Sequence, residues 1–139
     1  MNTDKTRIFQ DFAAKAKRRI EERKRFNTKE YYVKDADVTL TLHGLTEEEI
    51  SDGDEMFEGK GLEKDKYIIY LACRELQEAS GIMAAEGSLK ESERYKITEM
   101  FSFSDRSYLA SEVLKLSGIG ADCSVEAIPA VREVDEIKN

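Results

Sequence analysis

Val38-Thr-Leu-Thr-Leu-His43 sets the strictest condition on the fold. It alternates apolar and polar residues without exception, the two-residue period of a strand with one face in a core. Tyr31-Tyr-Val33 lies just upstream, and Lys34-Asp-Ala-Asp37 between them has turn composition. Residues 30–43 therefore read as a β-hairpin. A hairpin alone is marginal in water, so Val38, Leu40 and Leu42 must be covered by helices. The expected fold is mainly α, an α+β domain with one N-terminal hairpin and about five helices.

The helices follow from apolar spacing and from start and stop residues. In residues 4–25, Ile8, Phe9, Phe12, Ala13, Ala16 and Ile20 recur at intervals of one, three and four, the mark of a helix with one narrow apolar stripe. Its other face is dense in Lys and Arg, so this helix is expected to project from the body or lie on a partner. Thr46-Glu-Glu-Glu49 has the spacing of a capping box and opens a helix to about Phe57. Gly59-Lys-Gly61 reads as a turn. Glu63 to Ser80 is apolar nearly all round through Tyr67-Ile-Ile-Tyr-Leu-Ala-Cys73 and predicts one buried helix stopped by Gly81. Residues 91–100 predict a further short helix. Phe101–Ile119 predicts the last one, capped by Ser104 and stopped by Gly118, with Tyr108, Leu109, Val113 and Leu116 inward. Three parts result: an arm at 1–29, a core domain at 30–119 and a tail at 120–139.

Charge divides the chain unevenly. Residues 1–30 hold ten Lys/Arg against five Asp/Glu, a net +5, and the remainder holds twelve against 24, a net −12. A basic arm on an acidic body suits contact with an acidic partner or with the chain's own surface. With 139 residues, about two thirds of the unfolded chain's surface can be buried, so no disulfide or metal staple is needed. Cys73 and Cys123 form no spaced motif, which fits a reducing compartment. The N-terminus is polar and charged, unlike a secretory signal, and the longest apolar run is too short to span a bilayer.

No catalytic constellation is evident. His43 is the only imidazole and has no Cys or His cluster beside it, so a structural role is expected. Asp52-Gly-Asp-Glu55 lacks the ligand register of a calcium loop, and the glycines at 59 and 61 lack the spacing of a phosphate loop. Neither a metal nor a cofactor is expected, nor a small-molecule substrate. Lys15, Lys17, Arg18, Arg19, Arg23, Lys24 and Arg25 form a basic stripe, but no nucleic-acid-binding module surrounds it. Contact with nucleic acid is the lesser reading. The tail carries Val125, Ile128, Val131, Val134 and Ile137 at every third position, the pattern of a segment that orders against a partner.

Three pieces in order carry a family resemblance: the strand leading into Leu45-Thr-Glu-Glu-Glu49, then Leu76-Gln-Glu-Ala-Ser-Gly-Ile82, then the helix closing in Leu116-Ser-Gly-Ile119. Together they span residues 38–119 and resemble the tail assembly chaperones of phages and prophages. The mid-chain piece lacks a proline that often precedes it in that family. The resemblance implies a non-enzymatic protein of the bacterial host cytoplasm that self-associates and binds the tape measure protein. It also implies a longer, frameshifted form that recruits tail tube protein. On that reading the partner surface would comprise Ile8, Phe9, Phe12, Ile20, Tyr108, Leu109, Val131 and Val134. The alternatives are a nucleic-acid-associated prophage regulator acting through the basic helix, and a structural tail or baseplate component.

Overall fold

The computed structural model describes residues 3–23, 27–120 and 123–129. The chain is mainly α with one small hairpin. Helix α1 spans Thr3–Arg23; strands β1 (Thr28–Val33) and β2 (Val38–His43) follow; then come α2 (Glu47–Met56), α3 (Gly61–Leu71), α4 (Arg74–Ala85), a 3₁₀ segment (Glu91–Met100) and α5 (Phe103–Leu116). The strands pair antiparallel with Val33 opposite Val38 and Thr28 opposite His43. Asp37, at φ 52°, closes the turn, in the left-handed region that Asp tolerates better than most residues.

The alternation of β2 does what its period demands. Leu40 and Leu42 point into the core, where Val33, Leu45, Ile68, Ile69, Leu76, Ile97, Phe101, Leu109 and Val113 join them. Each such side chain contributes on the order of 1.5–3 kcal/mol by leaving water. At the start of α2, the Thr46 hydroxyl accepts from the Glu49 amide at 3.1 Å and the Glu49 carboxylate accepts from the Thr46 amide at 3.0 Å. The capping box is thus complete.

Four local expectations need correction. The single helix from Glu63 to Ser80 is two helices, parted at Ala72–Cys73. Cys73 is extended, at φ −134° and ψ 110°, and bridges Leu42 on the open side of β2. The His43 amide donates to the Ala72 carbonyl at 3.0 Å, and the Thr41 amide to Glu75 Oε2 at 2.9 Å. The edge of β2 needed hydrogen-bond partners, and the helix gives up its continuity to supply them. Gly81 does not stop α4, which runs to Ala85; Gly87, at φ +81°, takes the left-handed position beyond its end. Gly81 instead leaves room for Arg94, whose guanidinium donates to Gln77 O at 2.6 Å and Ser80 Oγ at 3.1 Å. Residues 91–100 wind as a 3₁₀ segment kinked at Glu93 rather than an α-helix. The cap of α5 is Ser102, not Ser104: its hydroxyl accepts from the Asp105 amide at 3.2 Å.

Candidate partner-binding surface

Helix α1 exposes its apolar stripe. Ile8, Phe9, Phe12 and Ile20 are 61, 70, 73 and 58% exposed, and none belongs to the core cluster. Glu22 lies beside Arg18 and Arg19, at 4.0 and 2.5 Å, which offsets part of the basic face locally. Near its C-terminal end, α1 meets the body across a groove of about 710 Å³. Arg19, Ile20 and Arg23 form one wall; Leu45, Thr46, Glu47, Glu48 and Ser117 form the other. The stripe therefore runs from open solvent into a cleft with basic residues on one side and acidic ones on the other.

The second expected patch divides. Tyr108 is 59% exposed and stands over Tyr31, with ring centroids 6.5 Å apart in an edge-on arrangement. Leu109 is 2% exposed and part of the core, so it offers nothing to a partner. One residue along a helix turns the side chain by about 100°, which separates a core position from a surface one. Leu116 is half-buried. Val131 and Val134 lie outside the described residues; Val125 and Ile128, at 84 and 86% exposed, show the tail's first part standing clear of the core.

Beneath Tyr108 is a feature that the sequence did not announce. Glu112 is buried on α5, yet its carboxylate accepts from the Tyr31 hydroxyl at 3.0 Å and pairs with Lys115 at 3.2 Å and Lys29 at 3.8 Å. The sequence contained only the Glu112–Lys115 spacing; Tyr31 and Lys29 lie some eighty residues away and gave no signal. Burial acts to raise the Glu112 pKa, but the hydrogen bonds from Lys115 and Tyr31 and the charges of Lys115 and Lys29 outweigh it. The carboxyl therefore titrates below its ordinary 4.5. Burial, and then the bond to Glu112, push Tyr31 up to about 12.

The sign of the pH effect follows. Glu112 is more acidic folded than unfolded, so its contribution is fully present above the ordinary value and is lost as pH falls through the folded value. Urea unfolding at stepped pH should show Glu112→Gln less stable than the parent at pH 7. The gap should narrow below about pH 4.5, and a gap that stays constant to pH 3 would rule the pairing out.

Little at these sites favours reaction chemistry. Cys73 is buried, and burial together with the neighbouring Glu75 carboxylate lifts its thiol to about 12. It stays protonated and inert at neutral pH. The His43 ring lies 2.8 Å from the Gly44 carbonyl through Nδ1, half-buried at the end of β2. Among the described residues no cluster of three or more metal-ligating side chains occurs, and no helix is long and apolar enough to cross a membrane. None of the family models, curated proteins or solved structures compared with the chain matches it.

Proposed function

We propose that this chain is a tail assembly chaperone of the phage type. It binds the tape measure protein in the cytoplasm of the bacterial host and keeps it soluble until tail tube protein assembles around it. The observation that carries the reading is the α1 stripe: Phe9 and Phe12, at 70 and 73% exposed, sit on a helix whose apolar side the core does not use. A monomer gains nothing from two exposed phenylalanines on one helix face, whereas a helical client gains an apolar seat. The rest of the chain carries the net −12 noted above, and like charge on the outside of a coated filament opposes its aggregation. Self-association along the client belongs to the same reading, and no step of it requires catalysis.

The test is co-expression with the tape measure protein encoded at the same locus. The expected result is client in the soluble fraction with this chain and in the pellet without it. A client that pellets in both cases, or a locus with no tail genes, would sink the proposal. Salt-graded gel retardation addresses the basic face: tight retention at physiological salt, with the steep salt dependence of phosphate contacts, would favour the nucleic-acid reading instead.

A further inference from the structure

We infer that the free edge of β1 is a pairing edge, and that a second copy of this chain adds its own β1 there, antiparallel, to make one continuous sheet. The two edges of the hairpin are not alike. On β2, the Thr41 and His43 amides point away from β1, to Glu75 and Ala72, so that side is closed. In an antiparallel pair, residues opposite one another either exchange their hydrogen bonds or both turn outward. Glu30 lies opposite Thr41, and Thr28 opposite His43. Thr28, Glu30 and, by alternation, Tyr32 therefore turn their amides and carbonyls to the free side of β1. All three residues are exposed, and among the described residues no hydrogen bond meets those groups. The strand has no proline and its register no bulge, so two common guards of a sheet edge are missing.

The strand's own sequence names the occupant. A two-fold antiparallel pair turns on one residue. Centred on Lys29 or Glu30, it sets like charges directly opposite each other. Centred on Tyr32 or Val33, it carries the pairing into the turn. Centred on Tyr31, it opposes Tyr31 to the partner's Tyr31, Glu30 to the partner's Tyr32 and Lys29 to the partner's Val33, with no like charges opposed. The outward groups then meet at Glu30 and the partner's Tyr32, and at the symmetry-related pair, where hydrogen bonds are exchanged.

The core face offers a second match. Val33, Tyr31 and Lys29 share that face with Val38, Leu40 and Leu42, their partners in register. Past the β1 edge the face continues as a groove of about 280 Å³ whose walls include Val33, Lys34, Asp105 and Tyr108. The same register brings the partner's Tyr31 and the partner's Lys29 to this groove, a ring toward Tyr108 and a cation toward Asp105; Lys34 stands at its turn end. Two hairpins so joined form a four-stranded sheet, which lifts the marginal standing of each alone. The pairing stands on the edge and its sequence, not on the client reading, and it gives the self-association in that reading a surface.

The experiment uses the full chain without client. Light scattering after size exclusion, over a dilution series, should give the parent twice the mass of one chain. Glu30→Pro removes an outward amide and leaves the β1–β2 hydrogen bonds in place, so it should run as a monomer with the parent's far-UV spectrum. With Cys123→Ser as background, Tyr31→Cys should oxidise to a linked dimer several-fold more than Glu30→Cys. Only position 31 meets itself, at a separation within disulfide reach; Cys73, buried, stays out of the reaction. A parent that is monomeric throughout would overturn the inference, as would a folded Glu30→Pro dimer or equal yields at positions 31 and 30. If Glu30→Pro unfolds, the thiol comparison decides alone. Client solubility is scored separately by co-expression, so either proposal can fail without the other.

Discussion

Phe101→Ala should lower the unfolding free energy by about 3–5 kcal/mol, as removal of a buried phenylalanine does elsewhere. The ring is the largest of the fully buried side chains, at 2% exposed. It stands where the 3₁₀ segment hands over to α5, and its carbonyl accepts from the Arg106 guanidinium at 2.5 Å. Removing it would empty the joint between two elements that both pack on α3. Phe103, two residues on and 60% exposed, is the control: Phe103→Ala should shift stability by no more than about 0.5 kcal/mol. Urea unfolding of the two variants beside the parent decides it, and equal losses would mean that the core is drawn wrongly here.

The other large effect concerns binding rather than folding. Phe9→Asp with Phe12→Asp should weaken client binding at least about 100-fold, since a central aromatic anchor commonly contributes 2 kcal/mol or more. The fold should not notice, because neither ring touches the core. In the co-expression assay the doubly substituted chain should stay soluble while the client pellets. A variant that still holds the client in solution would move the client surface off α1, and Tyr108 would be the next place to look.

The fold was legible where a local rule and a tertiary need agreed. Thr46 and Glu49 satisfy each other within four residues, so sequence alone located that cap. The alternation of Val38–His43 marked the strand and its inward face together. Legibility failed where a distant segment decided the outcome. Tyr67–Cys73 is apolar on all sides, and no periodicity within it can reveal that Leu42 draws Cys73 out of the helix. Gly81 looks like a stop until Arg94, thirteen residues later, is seen to lie against it. Ser102 and Ser104 are equally good caps by composition, and the helix starts at Phe103, which gives the role to Ser102. At the surface, the α1 stripe was legible because Lys and Arg crowd the rest of that helix. Leu109 was misplaced among the partner residues because helical spacing marks a face without saying whether core or partner covers it.

The order in which the core becomes complete also follows from the structure. Leu45 donates its amide to the Ser117 hydroxyl at 2.8 Å, and Tyr31 reaches Glu112 across 81 positions of sequence. The hairpin is synthesised well before the helix that closes over it. Its apolar face must wait for α5, so a nascent chain cut short before Val113 has strands but nothing to fold them against. Synthesis therefore sets a clock: α1 and the hairpin emerge well ahead of α5, and the domain they belong to comes into being only once that helix has followed.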